Sequence, residues 1–192
     1  MKLNMGCGHN RIEEFVNVDA AAECQPDVVW DLEIAPWPWP DDCAEEVRFI
    51  HSLEHMGGDP KAFLAIMKEL YRICAPGARV VIHAPHPRHD NFISDPTHVR
   101  PITPATLQLF DRELNDAWRA ARVANTPLAH YTDVDFRLAE RSAVLAEPYA
   151  SQLSAGTLSS AEVDLLARER NNIVAEYRLT LVARKTRPSG AS

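Results

Sequence analysis

The chain has 192 residues, 46% of them hydrophobic, and 20 Lys and Arg against 27 Asp and Glu give a formal charge of -7. This length suits one globular domain that buries about 70% of its unfolded surface. The sign of the charge repels phosphate backbones and anionic lipid, so neither nucleic acid nor a membrane surface is an expected partner. No apolar run approaches the roughly 20 residues of a membrane helix. Met1 leads straight into strand-like sequence without a charged leader and apolar core, so a cytoplasmic protein is expected. Cys7, Cys24, Cys43 and Cys74 are far apart and form no C-x-x-C pair, which reads as free, mostly buried thiols in a reducing compartment. One domain over residues 1–187 is expected, with a disordered tail at 188–192. The basic cluster Arg184-Lys185-Thr186-Arg187 reads as part of a solvated end.

In chain order, short β-prone runs occur at Lys2 to Cys7, Phe15 to Asp19, Asp27 to Leu32, Glu46 to His51 and Arg79 to Ala84. Bounded apolar runs of this kind suit strands buried on both faces of a parallel sheet. A helix lies before the last of them. Asp59 caps it, Pro60 takes its first position, Gly77 sits just beyond its end, and Phe63, Ile66, Met67, Leu70, Ile73 and Cys74 recur at helical spacing. Downstream, Pro104 to Ala121 reads as a helix, Phe136 to Glu147 as a strand, Ser160 to Asn171 as a helix and Ile173 to Ala183 as a long strand. The expected fold is a Rossmann-like α/β three-layer sandwich around one mostly parallel mixed sheet. Residues 85–103, with four prolines and three histidines, carry no helix or strand pattern. A loop that long inside a compact domain is usually functional or disordered.

The first strand ends in KLNMGCG. Glycines directly after a buried strand let the backbone approach a ligand and accept positive φ, a role that fits Gly6 and Gly8. The third glycine of a dinucleotide fingerprint is absent, because position 11 is Arg. Asp19 ends the second strand, where a carboxylate accepts both hydroxyls of a ribose or, alternatively, caps a turn. Asp31, in VVWDL, repeats this one strand over. It either accepts from an exocyclic amine with Leu32 against the ring, or caps another turn.

Taken in order, KLNMGCG, VNVD, DVVWDLEIAPWPWPDDCAEEVRFIHSLEHM and LYRICAPGARVVIHAP resemble the core of class I S-adenosylmethionine-dependent methyltransferases, in particular a small type-11-like branch with a minimal first crossover helix. The resemblance covers about residues 2–100. It implies S-adenosylmethionine as cofactor, with the Asn4 to Gly8 loop near the methionine moiety, Asp19 on the ribose, Asp31 and Leu32 at the adenine, and His51 with Leu53 beside the sulfonium. The chain departs from the family pattern at His9-Asn10, which narrows the carboxylate end of the pocket, at Cys43-Ala44-Glu45 and at Gly77-Ala78. The few residues between Gly8 and the second strand leave room for one or two helical turns, hence a weak macrodipole for the methionine carboxylate.

In HSLEH, His51 at a strand tip reads as a general base or as a histidine bonded to its own loop. The loop HAPHPRHDNFISDPTHVRPIT supplies His86 and His98 as further hydrogen-bonding or base candidates, with Arg88 or Arg100 to meet an acidic substrate. Its spacing matches no metal-ligand signature, so no metal is expected. Its P-H…D-P-x-H-x-R pattern resembles small methyltransferases of sugar and polysaccharide pathways, implying an oxygen or nitrogen acceptor on a small molecule or glycan precursor. Trp37 and Trp39 either stack on a ligand ring or pack in the core. Two other readings stand beside methyl transfer: a non-catalytic S-adenosylmethionine-binding module and an NAD-dependent oxidoreductase. The second wants a third glycine and a helix N-terminus for the pyrophosphate.

Overall fold

The computed structural model describes residues 1–185, so the expected tail at 188–192 lies outside the described residues. Its strands are β1 (Lys2–Met5), β2 (Val16–Asp19), β3 (Val28–Val29), β4 (Ala44–Ile50), β5 (Cys74–Pro85), β6 (Phe136–Leu145) and β7 (Val174–Ala183). They form one mixed sheet in the order β3-β2-β1-β4-β5-β7-β6, with β1 to β5 parallel and β7 antiparallel to both β5 and β6. The helices are α1 (Pro60–Ile73), α2 (Asp90–Ile93), α3 (Pro104–Gln108), α4 (Arg112–Ala120), α5 (Leu128–Thr132), α6 (Tyr149–Ser154) and α7 (Ser160–Glu169). This is the Rossmann-like α/β architecture expected from the sequence.

One face of the sheet presents Leu3, Met5, Val47, Phe49, Val80, Ile82, Leu179 and Leu181, all closed to solvent, and α1 lays Phe63, Ile66, Met67, Leu70 and Ile73 into the same core. Alternate residues, including Lys2, Arg48, His83 and Arg178, point the other way, as the two-residue period of a strand requires. The Asp59 side chain accepts from the amides of Lys61 and Ala62, and Pro60 occupies the first turn, as the sequence signals. The strand order reverses between β1 and β4. In such sheets the crevice beyond the carboxyl ends at that point is where ligands bind.

Several elements differ from expectation. The crossing from β1 to β2 contains no helix at all. β3 shrinks to two paired residues at the sheet edge. Gly77 does not end α1: the chain passes from Ile73 directly into β5, and Gly77, with φ +82°, sits where the β4–β5 register shifts. The predicted helix 104–121 breaks at Leu109–Asp111, because the carbonyls of Leu109 and Phe110 accept from the amides of Ala129 and Phe136, and the Asp111 side chain starts α4 afresh by accepting from Leu114 N. Short helices α2, α5 and α6 carry too few turns to leave a periodic signature.

Trp37 and Trp39 are core residues, 3% and 8% exposed, with ring centroids 6.3 Å apart in an edge-to-face pair. The Arg72 guanidinium fixes their segment by donating to the carbonyls of both, and Glu69 completes the knot by accepting from Trp37 N. Arg184 and Lys185 are not a solvated end. Arg184 binds Asp111, Glu113 and Asp135, and Lys185 binds Asp42 and the Arg72 carbonyl. Asp111 is 4% exposed, so removing its cation leaves a desolvated carboxylate. Arg184→Ala is therefore expected to cost about 2 kcal/mol in urea unfolding. A change under about 0.5 kcal/mol, normal for a solvated surface residue, would restore the original reading.

Candidate active site

A cavity of about 420 Å³ opens at the strand-order reversal, lined by Gly6, Gly8, Asp19, Ala20, Trp30, Asp31, Leu32, Glu33, His51, Ser52, His55 and Met56. Gly6 has φ +66°, and a Cβ there would stand 2.6 Å from Ser52 Cβ, so only glycine allows β1 and β4 to approach at the cavity floor. The Ser52 hydroxyl donates to the Met5 carbonyl at 2.8 Å, which stitches the same two strand ends together. Asp19 receives Gly8 N on one oxygen at 2.7 Å and Ala21 N on the other at 2.9 Å. The turn-capping role is thus filled, and each carboxylate oxygen retains capacity for a further hydrogen bond while the residue lines the cavity. Asp31 likewise accepts from Glu33 N at 2.9 Å and lines the cavity, with Leu32 buried beside it.

Of the residues singled out in the sequence, Gly6, Gly8, Asp19, Asp31, Leu32 and His51 converge here. Asn4 and Leu53 do not line the cavity. Asn4, 1% exposed, donates to Asn17 Oδ1 and the Asn10 carbonyl beneath the loop, and Leu53, 0% exposed, belongs to the core. The tryptophan that does reach the cavity is Trp30, whose place at the end of the VVW run was a visible but unused signal. Ser52 and Met56 follow His51 on the chain, and sequence reasoning passed over them too.

His51 also lines a second cavity of about 370 Å³, with Glu54, His55, Pro85, Asn91, His98, Val144, Ala175 and Glu176. It holds φ +53° at the tip of β4, a conformation that costs a residue with a side chain of order 1 kcal/mol and clusters at functional sites. Its Nε2 meets Glu176 Oε2 at 2.7 Å, and its Nδ1 faces Glu54 Oε1 at 3.7 Å. Glu54, helped by Glu176, raises the imidazole pKa above its ordinary value against the opposing effect of burial. Glu54 is 0% exposed, and neither of its carboxylate oxygens has a hydrogen-bond partner among the described residues.

The histidine-rich loop is strapped over this cavity. The amides of Val99 and Arg100 both donate to the Glu54 carbonyl at 3.0 Å, and the His98 ring packs on Phe92 and His55. His86 lies elsewhere. It lines neither cavity, packs on Tyr177, receives Arg88 N on its Nδ1, and burial lowers its pKa. Neither arginine awaits an acidic substrate: Arg88 donates to the Ala167 and Arg168 carbonyls at the end of α7, and Arg100 donates to the Gly57 carbonyl and lies over the Phe63 ring.

No protein-family model and no curated protein sequence matches the chain. Solved structures match its fold. A SAM-dependent methyltransferase from Archaeoglobus fulgidus aligns over 94% of this chain and 85% of its own, with a TM-score of 0.61 and 19% identity. A SAM-dependent methyltransferase from Methanosarcina mazei aligns over 96% and 92%, with a TM-score of 0.56 and 11% identity. The fold is that of class I SAM-dependent methyltransferases. The [4+2]-cyclase SpnF also aligns, over 96% of this chain and 75% of its own, with a TM-score of 0.52 and 15% identity. The methyltransferase fold therefore does not dictate one reaction.

In this version of the methyltransferase fold, side chains rather than a helix hold the glycine turn. Asn17 Oδ1 accepts from Asn4 and from Ile12 N, and its own backbone and side-chain amides donate to Asp27 Oδ2 at 2.8 and 2.9 Å. The Asn17 donors, together with Arg11, hold the Asp27 pKa down to about 2 from its ordinary 3.8. A depressed carboxylate contributes stability above its ordinary pKa and loses it as pH falls through the folded value. Wild type is thus expected to exceed Asp27→Asn in melting temperature near neutrality, with the gap closing between about pH 4 and pH 2. A gap independent of pH would contradict this role.

Proposed function

We propose that this protein is an S-adenosylmethionine-dependent methyltransferase that binds its donor in the first cavity and its acceptor in the second. The observation that carries the reading is that His51 lines both cavities. The first cavity fits the donor chemically. Gly6 and Gly8 leave its floor free of side chains, Asp19 and Asp31 are acceptors for ribose hydroxyls and an exocyclic amine, and Trp30, Leu32 and Met56 offer apolar surface to a purine. When bound, S-adenosylmethionine supplies an electrophilic methyl group on sulfur. No helix N-terminus backs the glycine turn, so the methionine carboxylate lacks that help, and Arg11 is committed to Asp27 and the Gln25 carbonyl.

The chain's own part in the reaction is to orient the acceptor and to take its proton. Glu176 fixes the His51 ring from one side, and Glu54 stabilises the positive charge that appears on the imidazole when it accepts a proton from an acceptor oxygen or nitrogen. His98 lines the same cavity and is a second hydrogen-bonding group for the acceptor. Glu54 and Glu176 give the cavity an acidic character that suits a neutral hydroxyl or amine better than an acidic substrate. A small molecule or glycan precursor is the acceptor class that this reading supports. No described helix is long and apolar enough to cross a membrane.

Trp30→Ala and Asp31→Ala are each expected to weaken binding of S-adenosylhomocysteine, the demethylated product, about tenfold, or ~1.4 kcal/mol. His51→Ala should leave that affinity within a few-fold and cut transfer of a labelled methyl to a panel of hydroxyl and amine acceptors by about a hundredfold or more. Full transfer by His51→Ala would remove His51 from the chemistry. Unchanged affinity in both cavity variants would move the donor elsewhere.

A further inference from the structure

We infer that Glu54, His55 and His98 form a binding site for a divalent first-row transition ion of the zinc class, opening on the second cavity. One ligand atom from each of the three lies within 4.8 Å of the others. Ligands about 2.1 Å from a common ion in tetrahedral geometry stand roughly 3.4 Å apart, so side-chain rotations that close the set by about an ångström complete the site. The spacing in the sequence hid this set, because Glu54 and His55 follow β4 while His98 arrives from the proline-rich loop. The backbone strap from Glu54 to Val99 and Arg100, with the His55–Thr97 hydrogen bond, brings them together.

Two independent features point to a cation. Glu54 is fully buried, yet neither carboxylate oxygen is hydrogen-bonded among the described residues, and the imidazole of His51 stands 3.7 Å away. A buried carboxylate that faces one imidazole at 3.7 Å and accepts no hydrogen bond is costly, and a coordinated ion offsets that cost. The second feature is the tautomer that the surroundings impose on both histidines. His98 Nδ1 lies 3.0 Å from the Phe92 carbonyl, which only accepts, so that nitrogen carries the proton and Nε2 is left bare. The Thr97 hydroxyl donates to Asp95 Oδ1 at 2.6 Å and so receives a proton from His55 Nδ1 at 2.9 Å, which leaves His55 Nε2 bare as well. A carbonyl or a carboxylate-backed hydroxyl behind the distal ring nitrogen is how proteins orient metal-ligating histidines. Two imidazoles with centroids 4.5 Å apart, His98 Nε2 lying 3.9 Å from Asp95 Oδ2, together with the Glu54 carboxylate make a donor set of borderline softness.

Three protein ligands leave at least one coordination position for the cavity, the arrangement of catalytic rather than purely structural sites. An ion there would bind the acceptor oxygen or nitrogen. That role rests on the methyl-transfer reading, whereas ion binding itself does not.

The test is titration of chelator-treated, full-length protein with Co²⁺, followed by visible absorption, with S-adenosylhomocysteine binding measured separately on the same samples. One ion per chain is expected, with ligand-field bands and no thiolate charge-transfer band, and affinity lower by at least tenfold in Glu54→Gln and in His98→Ala. A melting measurement covers the case in which a variant folds poorly. A Zn²⁺ concentration that saturates wild type should raise its melting temperature more than that of Glu54→Gln. The absence of saturable binding, wild-type affinity in both variants, or thiolate bands that place the ion on a cysteine would each overturn the site, whatever the result with S-adenosylhomocysteine.

Discussion

Asp19 closes the turn after β1 by accepting from Gly8 N, and with no helix in the first crossing that turn depends on side chains. In a βαβ unit the helix that follows a glycine turn fixes the turn's position and aims its amides. Here Asp19, Asn4, Asn17 and Asp27 take over that work through buried or half-buried hydrogen bonds. The consequence runs outward to the cavity. Gly6 can press against Ser52, His51 can stand at the end of β4, and Asp31 can reach the same space from the third crossing. It also runs to electrostatics, because without a helix dipole the first cavity offers a ligand discrete acceptors and apolar surface instead.

The second dependence is a buried carboxylate. Glu54 sits in a short turn directly after β4, its carbonyl holding the histidine-rich loop and its side chain lying among His51, His55 and His98. Burial of an unpaired carboxylate runs against stability, and such conflicts are expected at functional rather than structural positions. The positive φ of His51, which lines both cavities, is a second conflict close by on the chain, whereas Glu54 lines the second cavity alone. Strain and desolvation thus meet at the second cavity.

How much of this was legible in the sequence depends on the range of the interactions. Lys2 to Cys7, Phe15 to Asp19 and Glu46 to His51 read as strands because they are short, bounded, β-prone runs, although β4 is fully buried on one face only, and α1 read clearly because Asp59, Pro60 and a periodic stripe agree. Gly6, Gly8, Asp19, Asp31 and Leu32 were placed at the cavity because strand-end residues of a parallel sheet must converge there. The failures have tertiary causes. The helix after Pro104 is interrupted by hydrogen bonds to Ala129 and Phe136, residues far along the chain. Arg184 looked like part of a free end because its three acidic partners come from α4 and the segment before β6. His86 and His98 were equivalent in sequence, and only the strap at Glu54 separates the one that faces the cavity from the one that does not. Trp30 was overlooked in favour of Trp37 and Trp39, whose proline-bounded segment is instead pinned into the core by Arg72.

The central claim is that the space between Gly6, Asp19, Asp31 and His51 is a donor pocket, and titration calorimetry of the unaltered protein with S-adenosylhomocysteine, with NADH as the second ligand, tests it most directly. The account predicts one site per chain of micromolar or tighter affinity for S-adenosylhomocysteine and no heat beyond dilution for NADH. Binding of NADH in preference, or of neither ligand, would contradict it and leave the glycine turn a structural feature of the sheet.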